Sequence, residues 1–516
     1  MLYTNESTVE YQLHSQERKR TTQQAETPNL RERRTVVAEA VQAFREYRSK
    51  LIYDTDVLTL IQQRGAIPFD QWMNAVLYGP DGYYTSGRCG INNGDFTTVV
   101  RDPMHVAAFY AAIREHLIGQ SIENEEPRVL SVAAGVGNFE QHFLGMHKYY
   151  KAMHPELALP ASTTLYSLDI SEENLRKHAN FSGHTTSEAL QSFFSVIDNT
   201  VVFRGEKSDS EEAPFSIPVQ VLKELCSMYD CAGTIVTETE YEEYYSLHIL
   251  PYLRKKIDDK TYNFLCNHPE YIEHLAPFFT QHFDIPIAGS GFELPFDRNT
   301  LDVVFSNELH DAHPSKIFVV NPETDDYEEL FVTYDADSQK FVFEMRPIDP
   351  AIKPMLTLKM TYVNEQDPAT SAGSLPLLQL PNQEQREYLV VNMPSVLYFL
   401  EAARVLNSGG MIIEGDYTIA NRVGSHTIYG LERIRAGSKN GNYYDLLDHP
   451  NIGYYQDPWG DITTDANPGF LAWLAPVLGL QPLFFEDQMS FTKLRTGSNP
   501  SQKFNENFQV FAFVKK

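Results

Sequence analysis

The sequence predicts an α/β doubly wound fold, on three observations. Arg128-Val-Leu-Ser-Val-Ala-Ala-Gly-Val-Gly-Asn138 is a short apolar run that passes through a glycine turn into a helical segment. Thr164-Leu-Tyr-Ser-Leu-Asp169 is a second apolar run; it ends on an acid and opens on Ile170 and Ser171, whose hydroxyl can cap the next helix. Leu301-Asp-Val-Val-Phe-Ser-Asn307 and Gly409-Gly-Met-Ile-Ile-Glu-Gly-Asp-Tyr417 restore the buried-strand pattern further on. At 516 residues the chain has room for three or four units of about 150 residues, or for one large domain with insertions.

Taken in order, residues 1–35 are polar and read as a flexible arm. Residues 36–125 form a helical region: Val37, Ala40, Val41, Phe44 and Tyr47 repeat at helical spacing, and Phe69–Tyr78 does so again before Gly79-Pro-Asp-Gly82 stops it. A glycine-punctuated loop over 82–98 and a helix over His105–Ile118 follow. Residues 126–516 form the core, with insertions at about 180–285 and 318–385. The first is helical in its Leu247–Ile257 part, whereas two alternating runs flanking Asp335-Ala-Asp-Ser-Gln339 make the second an antiparallel excursion. A helix over Ser395–Leu406 leads into the 409–417 strand.

Composition excludes several function classes. Apolar residues at 42% and aromatics at 12% suffice for a sizeable core and exclude a wholly disordered chain. The 42 Lys and Arg against 69 Asp and Glu leave a net charge of −27, which repels phosphate backbones, so no nucleic-acid partner is expected. Cys89, Cys226, Cys231 and Cys266 form no C-x-x-C pair, so neither a disulfide framework nor a thiolate zinc nest is expected. No apolar run approaches the roughly 18 residues that span a bilayer, and Met1–Glu26 lacks the pattern of a signal peptide. A cytoplasmic protein without a membrane partner is the expectation.

The chemistry centres on the glycine turn. Gly135 and Gly137 let the backbone approach a ligand closely, the helix N-terminus beyond them favours negative charge, and Asp169 is placed to accept hydrogen bonds from ribose hydroxyls. The third glycine of a dinucleotide fingerprint is missing, since Glu140 stands in its place. The segment Glu293-Leu-Pro-Phe-Asp-Arg-Asn-Thr-Leu-Asp-Val-Val-Phe-Ser-Asn307, a loop leading into a strand, leans toward S-adenosylmethionine. His310 and His313 flank Asp311, but histidines three apart with one carboxylate read as helix caps or solvent-facing groups, so no metal is expected. The acidic run Glu238–Glu243 reads as a solvated helix face, and Tyr83-Tyr84 and Tyr443-Tyr444 as packing.

These features together resemble the class I methyltransferases, and more closely the MidA family, which includes the mitochondrial complex I assembly-factor methyltransferase. The resemblance spans most of 65–515. Ile67-Pro-Phe-Asp-Gln-Trp-Met with Leu77-Tyr78, Gly82-Tyr-Tyr84 and Gly94-Asp-Phe-Thr97 are similar to its N-terminal block. Ser306-Asn-Glu-Leu-His-Asp-Ala-His-Pro314 resembles its signature after the fourth strand, the 318–345 pair its hairpin, and Glu414-Gly-Asp-Tyr417 its aspartate-tyrosine strand end. Gly460-Asp-Ile-Thr-Thr-Asp465 and Asp487-Gln-Met-Ser-Phe491 are similar to its C-terminal blocks.

The resemblance implies a Rossmann-like class I methyltransferase core, mainly parallel and doubly wound, carrying inserted helical and antiparallel elements. It implies S-adenosylmethionine as the methyl donor, with S-adenosylhomocysteine as product, and a protein arginine as the favoured acceptor. Gly94, Asp95, Phe96, Thr97, Ala133, Gly135, Gly137, Asp169, Ile170 and Asn307 are the expected cofactor residues. Asn307, Glu308, Asp311 and Asp416 are the expected catalytic set, because a guanidinium needs carboxylates in fork geometry. The chain departs from the family in two places. Ser131 and Ala133 replace an acid and a glycine in the first glycine strand, and Val99-Val-Arg-Asp102 stands where proline-glutamate is usual. A small-molecule methyltransferase, a catalytically degenerate binding or assembly protein, and a nicotinamide oxidoreductase stay open as alternatives.

Overall fold

The computed structural model describes residues 28–52, 55–80, 82–85, 102–119, 126–135, 137, 139–140, 142–143, 146–147, 150, 157–160, 163–170, 194–197, 200–203, 215–218, 221, 249–267, 284–288, 293–365, 377–379, 385–418, 420–423, 426–429, 434–437, 443–445, 462–500 and 508–516. Gly94, Asp95, Phe96, Thr97, Ser171, the departure at 99–101 and the acidic run 238–243 lie outside these residues, as do the side chains of Tyr443 and Tyr444.

The central sheet holds seven strands: β1 (Arg128–Val132), β2 (Thr164–Asp169), β3 (Asp284–Ala288), β4 (Leu301–Asn307), β5 (Leu406–Tyr417), β6 (Leu480–Asp487) and β7 (Phe508–Lys515). Their spatial order is 6-7-5-4-1-2-3. β3, β2, β1, β4 and β5 run parallel, while β7 inserts antiparallel between β5 and β6. The direction of winding reverses between β1 and β4. In an open α/β sheet the crevice beyond the C-terminal strand ends at such a reversal is where ligands bind.

Side-chain alternation builds a core on each face of this sheet. Val129, Val303, Phe305, Ile413 and Val510 pack on one side with Phe109 and Phe491, which belong to α4 (Pro103–Gly119) and α7 (Gln488–Thr496). Leu130, Val304, Ile412 and Phe511 pack on the other against α1 (Pro28–Arg48), α5 (Lys353–Glu365) and α6 (Met393–Val405). Two covered faces explain why these strands read as continuous apolar runs.

A second, antiparallel sheet grows between β4 and β5. The strand Asp326–Asp335 pairs with Lys316–Asn321, with Lys340–Pro347 and with the short Ile67–Pro68, and Gln385–Val391 extends the sheet beyond Lys316–Asn321. Its inner face packs on α2 (Val57–Arg64) and α3 (Phe69–Tyr78), with the Trp72 ring 5.5 Å from Phe341 and edge-on to it. A buried ammonium ties these layers together. Lys316 Nζ donates to Asp70 Oδ1 at 3.0 Å and to Glu329 Oε1 at 2.6 Å, and lies 3.9 Å from the Tyr47 ring centre. Burial alone would lower the pKa of this ammonium; the Asp70 and Glu329 carboxylates outweigh it and hold the value above the ordinary range.

The first helix starts at Pro28, within the stretch read as an arm. Its polar opening turns are anchored from far away in the chain, since Arg33 pairs with Glu365 at 2.5 Å and stacks over Trp473 at 4.9 Å. Among the described residues no helix is long and apolar enough to cross a membrane.

Candidate functional site

Strand register brings the expected residues to one edge. Val132 lies opposite Leu168 on β2 and Ser306 on β4, and Asn307 lies opposite Gly415 on β5. The glycine turn therefore leaves β1 between Asp169 on one side and Asn307 on the other, at the reversal point of the sheet.

Three residues of the turn hold left-handed backbone: Ala133 at φ 60°, Gly135 at 57° and Gly137 at 79°. The turn is closed by Gly137 N–H donating to Ala134 O at 3.0 Å, and tied to β2 by Ala134 N–H donating to Leu168 O at 3.1 Å. Asp169, buried at the end of β2, accepts from Gly135 N–H through Oδ2 at 2.8 Å. Among the described residues, a Cβ added at Gly135 would meet nothing within 4 Å. Ile170, which follows Asp169, keeps 47% of its surface exposed.

The departures at 131 and 133 preserve this geometry. Ala133 adopts the conformation a glycine would take, at a strain of about 1–2 kcal/mol. Ala133→Gly is accordingly expected to raise stability by roughly 0.5–1 kcal/mol once the greater freedom of the unfolded chain is subtracted. A denaturant titration at unchanged m-value checks this, and a lower midpoint would contradict it. Ser131 Oγ donates to Glu140 Oε1 at 2.5 Å, and Glu140 is fully buried. A carboxylate thus does stand against strand position 131, supplied from beyond the turn, where a dinucleotide fingerprint would have its third glycine.

Across the reversal point β4 ends on Asn307, followed by Glu308, both half-buried. Glu308 takes φ 56° and donates its N–H to Gly415 O at 2.8 Å, an uncommon backbone for a residue with a long side chain. Asn307 Nδ2 donates to Glu308 Oε1 at 3.2 Å, and Asn307 Oδ1 lies 3.2 Å from His105 Nε2. Asp311 is buried, and its carbonyl accepts from Thr464 N–H at 2.7 Å. Of the two carboxylates expected to form a fork, Asp311 is buried and Glu308 is half-buried.

Asp416, expected beside the reacting groups, is fully buried. Oδ2 accepts the His310 and Asp311 amides at 2.8 and 3.3 Å, and Oδ1 accepts the Tyr417 amide at 2.7 Å. It tethers the 308–311 loop from below. Burial pushes its carboxyl well above the usual range, the amides pull it down, and the Glu308 charge adds to the rise.

The expectation that His310 and His313 cap helices or face solvent is corrected. The Asp416 tether turns their loop inward, and both rings are buried with Nδ1 2.9 Å from Ser395 Oγ. Burial lowers His310 to about 3 and His313 well below its ordinary value, so both are neutral. One hydroxyl hydrogen serves two ring nitrogens, so one histidine accepts from Ser395 while the other donates to it, and their tautomers differ. Glu414 lies beneath, accepting from Tyr398 OH at 2.7 Å and from Ser306 Oγ. Among the described residues no group of three or more His, Cys, Asp or Glu side chains could hold a metal ion.

Sequence reasoning missed His105, Glu140 and Gly415. The signal for His105 was its place as a lone polar ring in the apolar run Val106-Ala-Ala-Phe109. Tyr83, read as packing, is buried in the core of the second sheet, with its ring 5.1 Å from that of Tyr84.

Fold and site define a doubly wound α/β protein with a carboxylate on each side of the reversal point of its sheet. In overall fold the chain is similar to a Burkholderia thailandensis protein solved with S-adenosyl-homocysteine bound, at 14% identity and a TM-score of 0.48, covering 96% of this chain and 95% of that one. A native structure of an uncharacterized Burkholderia thailandensis protein gives 14% identity and a TM-score of 0.47 with the same coverage. The CcbJ methyltransferase from Streptomyces caelestis gives 10% identity and a TM-score of 0.27, covering 80% of this chain and 95% of that one. No protein-family model and no curated protein matches the chain.

Proposed function

We propose that this chain is a MidA-like S-adenosylmethionine-dependent methyltransferase whose acceptor is an arginine side chain of a protein. One observation carries the reading: Asp169 and the glycine turn, joined by the Gly135 amide bond, face Asn307 and Glu308 across the point where the sheet reverses. The residues suit the donor chemically. Asp169 offers carboxylate lone pairs to sugar hydroxyls, Ile170 an apolar face to a flat base, and the turn an open backbone. When bound, the donor supplies an electrophilic methyl on a sulfonium.

What the chain itself contributes is placement. Glu308 Oε2 accepts the guanidinium N–H of the acceptor and takes up its proton as the nitrogen is methylated, while Asn307 holds Oε1. Asp311 and Asp416 position the loop that carries Glu308. The nicotinamide alternative is disfavoured by Glu140, because a buried acid fills the place where a third glycine would let helix and strand close up. The degenerate-homologue alternative is disfavoured by the turn, which keeps its left-handed backbone at Ala133.

Incubating the full chain with methyl-labelled S-adenosylmethionine and a library of arginine-containing peptides tests the reading. Label is expected on the guanidinium nitrogens by mass spectrometry. Label confined to other side chains would overturn the acceptor assignment, and no binding of donor or product would overturn the methyltransferase itself.

A further inference from the structure

Three buried polar arrangements lie outside the expected set: Glu140 bonded to Ser131, the two histidines sharing Ser395, and His105 beside Asn307. The last makes a directed chain of hydrogen bonds that ends on Glu308. We propose that His105 is a positioning residue for the reaction, acting through the Asn307 carboxamide to orient the Glu308 carboxylate. This inference rests on the methyltransferase reading and deepens it.

His105 lies in the first turn of α4 and is fully buried. Its ring packs among Phe109, Phe508 and Phe491, with centroids 5.0, 5.5 and 6.1 Å away. Burial pushes its pKa down to about 4, with the Asn307 bond and the Asp102 charge opposing only in part, so at neutral pH the imidazole carries a single N–H. Among the described residues Nδ1 has no hydrogen-bond partner, and Nε2 faces Asn307 Oδ1 at 3.2 Å.

The direction of each bond follows from the far end. A carboxylate can only accept, so Asn307 must present its NH2 to Glu308 Oε1, as it does at 3.2 Å. Its carbonyl oxygen then faces the ring, and only the tautomer protonated on Nε2 can satisfy it. If Nδ1 carried the proton instead, the amide would be drawn to flip, and its oxygen would face the Glu308 carboxylate. The neutral ring therefore acts as a key for the amide, and the amide as a key for the acid. Space for the amide comes from Gly415, where an added Cβ would sit 2.9 Å from Asn307 Oδ1 and 3.2 Å from the Phe109 and Phe508 rings.

The test compares the full-length wild type with His105→Phe, which keeps an aromatic ring but removes the N–H, and His105→Gln, which keeps an N–H donor. Asparagine-selective 15N labelling reads the Asn307 side-chain amide in protein loaded with S-adenosylhomocysteine, and an acetylated arginine amide serves as acceptor for steady-state rates. His105→Phe is expected to shift the Asn307 amide signals and lower kcat at least tenfold. S-adenosylhomocysteine affinity should stay within about twofold, and His105→Gln should recover most of both losses. Unchanged amide signals, or shifted signals with an unchanged kcat, would overturn the inference. Loss of S-adenosylhomocysteine binding in His105→Phe but not in His105→Gln would also overturn it, by moving the ring to the cofactor side. Should the wild type bind no S-adenosylhomocysteine at all, the methyltransferase reading fails by itself; the amide signals of the unliganded proteins then still decide whether His105 orients Asn307.

Discussion

Glu308→Gln is expected to lower the rate of methyl transfer about 100-fold, equivalent to about 2.7 kcal/mol in the barrier, while leaving S-adenosylhomocysteine affinity within a factor of two. The substitution is nearly isosteric. It leaves the backbone bond to Gly415 O in place, and the new side-chain amide can accept from Asn307 through its oxygen. What is lost is the negative charge that holds a guanidinium and the basic atom that receives its proton. Glu308 follows directly on β4, across the reversal point from the turn and Asp169, so the donor's sugar should not register the change. Stopped-flow transfer rates alongside calorimetry separate the two effects. Equal losses in rate and affinity would move Glu308 to the donor side of the crevice.

Asp169→Ala is expected to weaken S-adenosylhomocysteine binding by at least tenfold. A hydrogen bond to a charged group contributes about 1.5–3 kcal/mol, and each 1.4 kcal/mol is a factor of about ten. Two losses combine here. The carboxylate that would face sugar hydroxyls disappears, and so does the acceptor for Gly135 N–H, which sits 2.8 Å from Oδ2 and holds the turn against β2. Asp169→Asn separates them, because its amide oxygen can still accept from Gly135 while the charge is gone. An affinity for Asp169→Asn between those of wild type and Asp169→Ala is the expected calorimetric result. Unchanged affinity in Asp169→Ala would mean that β2 does not border the binding crevice.

The central sheet was legible because its strands are buried on both faces. Thr164–Asp169 and Leu301–Asn307 have the same limits in the structure as in the apolar runs of the sequence, and Phe69–Tyr78 is a helix over its full predicted length. Local rules also found the hairpin turn at Asp335–Gln339, with Asp335 paired to Lys340. What local pattern could not supply was partnership across the chain. The polar residues after Pro28 join α1 because Glu365 and Trp473 receive Arg33.

The site was legible in its residue types and less so in its roles. Asn307, Glu308 and Asp169 stand where a strand end was expected to place them, whereas Asp416 is buried and accepts the amides of 310 and 311, which fold over it. His310 and His313 look polar in a string of letters, yet a shared hydroxyl lets both be buried without charge. Ala133 shows the converse. A glycine position can be filled by alanine and keep its backbone, with the strain absorbed by the turn's bonds to β2.

Soaking crystals of the full chain with S-adenosylhomocysteine tests the account at its root. The ligand should lie over the tips of β1 and β4, with its ribose hydroxyls within hydrogen-bond distance of Asp169 and its sulfur turned toward Asn307 and Glu308. Density elsewhere, or none at millimolar ligand with the tips closed by the protein's own side chains, would contradict it.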